Sequence, residues 1–286
     1  MKSIISALAI ACACIGVANC GAAELQGVLK KIKTTRTIAL GYSVSAVPFS
    51  FVANDERPQG YSIDLCKRVV DGIQQQLGLA ELRIQWVKVD VSTRIPAVVK
   101  GQVDIECGST THTLTREEKV DFSSMTFVDG GSYLSKLRSK LTTVKDLGGK
   151  RVGVIPGTTT EKVLAAALER AGVTAEIVPV STHADGVAAL REDKVDAYAS
   201  DRMILIGLVL NAIDVASYSL SEELFSYEPY GLMMKRDADF RLAVNRELAR
   251  LYRSGAVMDV YARWYGPLGA PSTLLKAMYF LNAFPE

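Results

Sequence analysis

The sequence predicts an α/β protein of two lobes, each built on a mostly parallel sheet flanked by helices. The chain has 286 residues, which is enough for two hydrophobic cores. Strand and helix patterns alternate over roughly the first hundred residues after an apolar leader, and such alternation is typical of parallel sheets covered by helices. The same alternation begins again near Gly149.

Periodicity and stop signals define the elements of the first half. Between residues 62 and 78, apolar side chains recur at helical spacing and Gly78 ends the pattern, which predicts an amphipathic helix. A short helix is expected over 92–101, where Pro96 falls in the first turn and interrupts no helical hydrogen bond. Strands are predicted at 37–43, 82–89 and 102–108.

The second half follows the same rules. Thr158 and Glu161 stand at capping-box spacing and mark the start of a helix. Strands are expected at 149–157, 175–180, 195–200 and 230–235, and helices at 158–172, 183–193, 201–211, 239–255 and 256–266.

Two segments, 125–131 and 227–231, are the candidates for chain crossings between the lobes. We therefore expect one lobe to comprise residues 24–127 and 231–286, and the other residues 128–230. Crossings of this kind would let the lobes close on each other by a hinge motion.

Residues 1–23 are predicted to be a secretory signal peptide. Lys2 precedes a run of small and aliphatic residues, and small residues surround the expected cleavage point after Ala23. The run is shorter than the ~20 residues that a membrane-spanning helix needs. We expect an exported, periplasmic protein. A lipoprotein leader cut before Cys20 is the alternative, which Asn19 disfavours because a smaller residue usually precedes a lipidated cysteine.

Two of the five cysteines, Cys66 and Cys107, lie outside the leader. Export permits a disulfide between them. However, Cys66 falls on the apolar face of a predicted helix, and Cys107 alternates with Val103 and Ile105 in a predicted strand. Two buried free thiols are therefore the favoured expectation, with a disulfide as the alternative.

Composition and motifs exclude several classes of function. Apolar residues make up 49% of the chain and charged residues 22%, which is an ordinary globular composition. The net charge is +2 and no basic stripe is present, so nucleic acid is not an expected partner. The sequence has no Cys/His cluster at metal-ligand spacing, no phosphate-binding P-loop and no G-x-S-x-G motif. No metal and no cofactor are predicted.

The segment ECGSTTHTLTREE, residues 106–118, places hydroxyl side chains and Arg116 directly after a predicted strand. In open α/β sheets, ligands bind beyond the carboxyl ends of the strands. A solvated loop, with Arg116 paired to Glu117 or Glu118, is the alternative. If two sheets face each other, one cleft would be lined by four strand ends, at Ser43, Ser109, Thr158 and Asp201.

Several residues of this set have both a functional and a structural interpretation. The turn at Gly157 and Thr158 precedes a helix, so its N–H groups suit an anion, although Thr158 also serves as a helix cap. Asp201 is either a ligand-facing carboxylate or a helix N-cap. Arg94 is expected in the first turn of a helix. A positive charge there is unfavourable against the helix dipole, so an anion is expected nearby to compensate it. His183 is one of only two histidines, and a lone histidine is more often structural.

The motifs in register resemble the polar amino-acid-binding proteins of bacterial ABC importers, the solute-binding proteins of family 3. The likeness is strongest to the periplasmic glutamate/aspartate-binding proteins and covers essentially the whole chain after the leader. The segments that carry it are VPFSF (47–51), GYSIDLCKRVVDGI (60–73), RIPAVVKGQVDIECGSTT (94–111), STTHTLTREEKVDFS (109–123), GKRVGVIPGTTTE (149–161), THAD (182–185), VDAYASD (195–201) and YGLMMKRD (230–237).

The resemblance implies a type II periplasmic-binding-protein fold, with two lobes joined by two crossing strands that close on one amino acid. An amino acid carries a cation and an anion, so its burial requires an opposite charge for each. Arginine suits a carboxylate through its planar fork, and aspartate suits an ammonium because it only accepts. The implied roles are Arg116, Thr158 and Thr159 on the α-carboxylate, Ser109 and Thr111 on polar groups of the ligand, Asp201 on the α-ammonium, and Arg94 and His183 on a side-chain carboxylate.

Two positions depart from the glutamate/aspartate pattern, since Ser43 stands where those relatives have an arginine and Val91 where they have a serine. Glutamate or aspartate is still the expected ligand, because a neutral ligand would leave Arg94 buried without an anion. Glutamine or asparagine is the alternative, if a protein carboxylate such as Glu106 or Asp90 pairs with Arg94.

The expected function is that of a monomeric binding protein that delivers its ligand to an inner-membrane ABC permease. An enzyme on the same fold, such as a dehydratase, is the competing class. It would need a positioned acid or base, whereas the predicted cleft groups are committed to charge pairing. A sensor lobe of a membrane kinase is a third class, disfavoured because no transmembrane segment follows.

Overall fold

The computed structural model describes residues 24–53, 56–210 and 215–286, which form two main β-sheets flanked by helices and one small three-stranded sheet. The predicted leader, its Cys20 and the last residue of the helix predicted over 201–211 lie outside the described residues. Within the described part, no helix has the length and apolar character needed to cross a bilayer.

Helices and strands are numbered here in chain order. The first part of the chain forms α1 (Gly27–Thr35), β1 (Thr37–Tyr42), β2 (Ser45–Ala46), β3 (Ser50–Val52), β4 (Pro58–Gln59), α2 (Tyr61–Gln76), β5 (Arg83–Lys88), α3 (Arg94–Val99), β6 (Ile105–Glu106), α4 (Leu114–Glu117) and β7 (Asp121–Asp129). The middle part forms β8 (Gly131–Lys136), β9 (Arg151–Val154), α5 (Thr159–Ala171), β10 (Glu176–Pro179), α6 (His183–Arg191), β11 (Ala197–Asp201), α7 (Arg202–Leu210) and β12 (Tyr218–Leu220). The last part forms β13 (Glu228–Met234), α8 (Ala238–Ser254), α9 (Val257–Tyr265) and α10 (Thr273–Leu281).

The two main sheets have the same construction. The first has the strand order β5-β1-β6-β13-β7 and the second the order β10-β9-β11-β8-β12. In the first sheet β13 runs against its neighbours and the other strands share one direction. In the second sheet β8 takes that role. The prediction of an α/β fold with mostly parallel sheets is confirmed, and the carboxyl ends of β1, β6, β9 and β11 are the edges where a ligand would bind.

The chain passes between the sheets twice. Strand β7 of the first sheet ends at Asp129 and β8 of the second sheet begins at Gly131, so Gly130 is the single residue that connects them at the first crossing. The return runs between β12 and β13, over residues 221–227. The predicted segment 125–131 contains the first crossing, whereas most of 227–231 already belongs to β13. The exact lobe boundaries proposed from the sequence stay a prediction.

Some elements differ from the sequence prediction. The strand expected over 102–108 is reduced to β6, although Asp104 and Cys107 still donate backbone hydrogen bonds to Ala39 and Gly41 of β1, with N–O distances of 2.8 and 2.9 Å. The sequence analysis did not predict α1, α10, β8 or the full length of β7. Strand β7 was missed because its polar and apolar residues do not alternate.

An aromatic cluster beside the first sheet positions a residue of β13, the strand that follows the second crossing. The ring of Tyr230 on β13 is buried, and its centroid lies 5.0 Å from that of Phe49. Phe49 contacts Phe127 at the same centroid distance, 5.0 Å. This packing fixes the phenol ring within the first core and directs its hydroxyl group toward the end of β11, where it donates to Asp201.

The expectation of two free thiols is wrong, because Cys66 and Cys107 form a disulfide. Both cysteines are fully buried, as predicted, but α2 packs directly over the end of β6. Their Cα atoms are therefore 6.2 Å apart, which lies within the range that a disulfide spans. The bond ties α2 to the start of the hydroxyl-rich loop that begins at Gly108.

We expect the Cys66→Ala/Cys107→Ala variant to lose about 2–4 kcal/mol of unfolding free energy, because the disulfide closes a loop that restricts the unfolded chain. Urea denaturation followed by circular dichroism measures this loss. The same denaturation of the wild type under reducing conditions is the control and should give a similar value. A variant as stable as the oxidised wild type would contradict the disulfide.

Candidate functional site

The predicted strand ends do converge between the two sheets. A small, partly open cavity of about 30 Å³ lies there, walled mainly by the first sheet and by α6 of the second. Four predicted site residues line it. The lining residues are Ser43, Ala46, Val89, Asp90, Val91, Arg94, Glu106, Gly108, Ser109 and His183.

Beside this cavity, two predicted threonines meet across the gap between the sheets. Thr111 follows β6, and Thr159 is the first residue of α5. Their Oγ1 atoms are 3.1 Å apart, and each donates a hydrogen bond of 2.7 Å to Oε2 of Glu228. Glu228 is 1% exposed, and its Oε1 accepts from the Ser226 hydroxyl at 2.7 Å. Sequence analysis did not identify this carboxylate, although it lies within the predicted crossing 227–231.

Asp201, the last residue of β11, is buried and points into the same region. Its Oδ1 accepts from the Thr160 hydroxyl at 3.0 Å, and its Oδ2 accepts from the Tyr230 hydroxyl. Burial, together with the nearby Glu228 charge, raises the pKa of Asp201 to about 6. The sequence allowed Asp201 to be the N-cap of α7. In the structure its carboxylate accepts from the hydroxyls of Thr160 and Tyr230 instead.

The cap of α7 is instead supplied by Asp129, a residue that the sequence analysis missed. Its carboxylate accepts from the backbone N–H groups of Met203 and Gly130, both at 2.9 Å. Asp129 also pairs in register with Glu228 across β7 and β13. Burial and the charge of Asp201 raise the pKa of Asp129 to about 7. The first crossing therefore brings a further acid to the edge of the cleft.

Arg116 turns inward rather than toward the acids next to it in sequence. Its Nη1 donates to the backbone oxygen of Thr111 at 2.6 Å, while Glu117 pairs with His112 at 2.9 Å. Burial and the charge of Arg94 lower the pKa of Arg116 to about 10, against the opposing effect of nearby carboxylates. Arg116 thus stays protonated at neutral pH. The alternative of a surface pair with Glu117 or Glu118 is wrong.

Arg94 is the first residue of α3 and lines the cavity. Its Nε atom is buried and has no hydrogen-bond partner among the described residues. Asp90, one proposed partner, uses its Oδ1 to cap Ser92 and Thr93. Glu106, the other, accepts from Thr110 at 2.7 Å, and burial raises its pKa against the opposing charge of Arg94. Neither carboxylate forms an ion pair with Arg94 in the described part of the chain.

His183 begins α6 and forms part of the cavity wall. Its Nδ1 lies 2.7 Å from the Tyr198 hydroxyl and 3.5 Å from the Ser200 hydroxyl. Burial and the charge of Arg94 lower the pKa of His183 to about 4. The imidazole is therefore neutral at physiological pH, and in the tautomer in which Tyr198 donates to Nδ1 the ring proton is on Nε2.

The remaining predicted residues have mixed positions. Ser43 and Ser109 line the cavity. The Thr158 hydroxyl is used locally, since it accepts from Glu161 N at 3.2 Å and donates to Ile155 O at 2.7 Å as the cap of α5. Thr159 is thus the residue of this turn whose side chain reaches the first sheet.

The site as a whole combines two arginines with buried carboxylates. The charge of Arg94 acts on Asp201, and Arg116 lies within reach of the charges of Glu228, Glu106 and Asp201. Such an arrangement suits a ligand that carries both signs of charge. Among the described residues no group of three or more His, Cys, Asp or Glu side chains could hold a metal ion.

Comparison with known proteins places the chain in one family. The model of the bacterial extracellular solute-binding proteins, family 3, matches residues 38–267. An L-glutamate/L-aspartate-binding protein from Pseudomonas aeruginosa is 36% identical over 85% of this chain and 81% of its own length. A glutamine-binding protein of an ABC transporter from Bacillus subtilis is 29% identical over 92% of this chain and 97% of its own length.

A solved structure shows the same fold. The ancestral amino acid-binding protein that is a precursor of cyclohexadienyl dehydratase superposes with a TM-score of 0.72 at 25% sequence identity. The match covers 84% of this chain and 100% of that one.

We expect the ring of His183 to stay neutral from pH 8 to about pH 5, since its pKa is lowered to about 4. In the unfolded chain the pKa of this histidine is near 6.5, so between pH 6.5 and pH 4 only the unfolded chain takes up the proton. The free energy of unfolding is therefore highest above pH 6.5 and decreases as the pH falls from 6.5 toward 4. NMR titration of the ring protons tests the pKa directly, with His112 assigned through the His112→Gln variant. A midpoint for His183 at pH 6 or above would contradict the buried neutral ring.

Proposed function

Because the chain belongs to the bacterial extracellular solute-binding proteins of family 3, we propose that it binds one acidic amino acid, glutamate or aspartate, between its two sheets. It would then deliver this ligand to an inner-membrane permease of an ABC importer. The glutamate/aspartate-binding relative from Pseudomonas aeruginosa supports this ligand class.

The observation that carries the proposal is that the buried Nε of Arg94 has no hydrogen-bond partner among the described residues. A buried N–H group of a guanidinium without an acceptor is costly, because it has lost water and gained no hydrogen bond in return. A ligand side-chain carboxylate in the adjacent cavity would supply the missing acceptor. Neutral His183 would add a hydrogen-bond donor without a second positive charge.

The main chain of the ligand is proposed to use the other charged groups. Arg116 would hold the α-carboxylate, with the backbone N–H groups at the start of α5 as further donors. Asp201 would hold the α-ammonium, since a carboxylate only accepts hydrogen bonds. Ser43, Ser109, Thr111, Thr158 and Thr159 would complete the site as polar contacts or as supports of the binding turns.

An amide ligand is the second candidate, and one observation favours it. Glu106 is buried in the same cavity wall as Arg94 and already experiences its charge. Val91, which replaces the serine of the glutamate/aspartate pattern, packs against apolar residues of the second sheet. A glutamine side chain would meet fewer unbalanced charges there, and one relative is a glutamine-binding protein.

The proposal includes binding without covalent change. The relatives compared above are binding proteins by name, and the cleft carboxylates of this chain already accept hydrogen bonds from threonine and tyrosine hydroxyls. We further propose a monomeric periplasmic protein, exported by removal of residues 1–23.

Calorimetry with a panel of amino acids on ligand-stripped protein tests the ligand class. We expect glutamate to bind at least tenfold more tightly than glutamine, because a hydrogen bond to a charged partner contributes about 1.5–3 kcal/mol. This preference should collapse in Arg94→Ala. Arg138→Ala, which changes an exposed arginine of the second sheet region, is the control and should keep the preference. Equal wild-type affinities for glutamine and glutamate would overturn the acidic ligand.

The affinity should also depend on pH through Asp201. An α-ammonium binds the ionised carboxylate, so binding releases a proton when the pH lies below the pKa of about 6. We therefore expect the dissociation constant for glutamate to rise roughly tenfold from pH 7 to pH 5, where about one-tenth of the carboxylate is ionised. Calorimetry across this range measures it.

The neighbouring Asp129 also titrates in this range, so Asp129→Asn serves as the control for the pH series. Asparagine can still cap α7, and Asp129 is not placed against the ligand. The decrease in affinity at low pH should persist in this variant. A flat profile in the wild type would remove Asp201 from the ammonium site.

A further inference from the structure

Three hydroxyl groups donate hydrogen bonds to the buried carboxylate of Glu228. Thr111 and Thr159 both donate to Oε2 at 2.7 Å, one from each side of the cleft. The third hydroxyl, that of Ser226, donates to Oε1, and its oxygen accepts from Gly131 N at 2.8 Å. The carboxylate therefore accepts three hydrogen bonds, and it is only 1% exposed.

The hydrogen bonds to Glu228 limit the roles that the two threonine hydroxyls can take toward another group. A hydroxyl group has one proton to donate and two lone pairs that accept. Thr111 and Thr159 each donate their hydroxyl proton to Glu228. Neither has a second proton to donate to the other, although their Oγ1 atoms are only 3.1 Å apart. Both oxygen atoms can then offer only lone pairs to a third group.

We propose that Glu228 is a positioning residue that orients the hydroxyl protons of Thr111 and Thr159 away from the ligand, so that both threonines act as acceptors for its α-ammonium. This inference rests on the proposed function, since it assigns a partner to one group of the ligand. Glu228 would thus contribute to the recognition of the amino group without touching the ligand.

The surroundings support this polarity. Asp201 also accepts, and one of its donors is the hydroxyl of Thr160, the residue that follows Thr159 in the chain. The backbone oxygen of Thr111 accepts from Arg116, so the arginine proposed for the α-carboxylate lies directly beside one of the two threonines. A ligand with an ammonium and a carboxylate on one carbon atom would then fit in one orientation.

A merely structural role is the competing explanation, in which Glu228 joins the two sheets and affects every ligand alike. The two roles differ in their dependence on the ammonium group. A proton-orienting residue matters for glutamate and much less for glutarate, the same diacid without the amino group. A structural residue changes both affinities by the same factor.

The experiment measures the affinities of glutamate and glutarate by calorimetry in the wild type, Glu228→Met and Glu228→Gln. Methionine has a similar size but accepts no hydroxyl proton, so glutamate should lose tenfold or more in affinity and glutarate less than threefold. Glutamine can present its amide oxygen to both threonines and its NH₂ group to Ser226, so the preference for glutamate should survive in that variant.

Glu247→Met is the matched control, because Glu247 is also buried, at 7% exposure, but pairs with Arg250 on α8. It should leave both affinities unchanged. If Glu228→Met does not fold by circular dichroism, Thr159→Val replaces it, since valine has the same shape without the hydroxyl. This variant should also weaken glutamate binding more than glutarate binding.

Equal losses for glutamate and glutarate would overturn the positioning role and leave the proposed function intact. If the wild type binds neither glutamate nor aspartate, the same comparison is made with glutamine and with 4-carbamoylbutanoate, its deaminated analogue. A wild type that binds none of these amino acids would overturn the proposed function and this inference together.

Discussion

Hydrogen bonds to one buried carboxylate join the loop that follows β6 to the start of α5 across the cleft. Glu228 begins β13, the strand by which the chain returns to the first sheet, and accepts from Thr111 beside β6 and from Thr159 at the start of α5. A buried carboxylate requires several donors, and only groups from both sides of the cleft satisfy this one. The relative position of the first turn of α5 and the hydroxyl-rich loop depends on this constraint.

The charged groups around Glu228 follow from the two crossings. Register places Asp129 opposite Glu228, and the hydroxyl of Tyr230, two residues further along β13, donates to Asp201 of the second sheet. Burial and the neighbouring carboxylate charges raise the pKa values of Asp201 and Asp129, while burial and the charge of Arg94 lower that of Arg116. The cleft is thus an electrostatic unit, in which a change in one ionised group alters the protonation of the others.

Much of the fold could be predicted because it depends on local pattern. The helical spacing around Cys66, the stop at Gly78 and the capping pair Thr158 and Glu161 are short-range signals, and each marks an element of the structure. The disulfide could not be derived in this way. Burial of Cys66 and Cys107 was readable from their elements, but whether two buried thiols meet depends on how α2 packs over β6.

The residues brought to the candidate site divide in the same way. Arg94, Ser109, Thr111 and Asp201 could be selected from the sequence because each stands at a strand end or a helix start, where side chains reach a ligand. Sequence reasoning missed Glu228, Asp129 and Tyr230, since a carboxylate or phenol in a strand has no local feature that distinguishes a solvated side chain from a buried one.

The sequence by itself determined the order of strands and helices, the chemistry of the strand ends and the resemblance to a family, because these depend on neighbours along the chain. Only the tertiary structure decided which charges are paired. It left the buried Nε of Arg94 without a hydrogen-bond partner among the described residues, turned Arg116 inward and assigned the cap of α7 to Asp129 rather than Asp201. Hydrogen bonds between residues far apart in sequence depend on distances of a few ångströms, and those distances are set when the two sheets pack together.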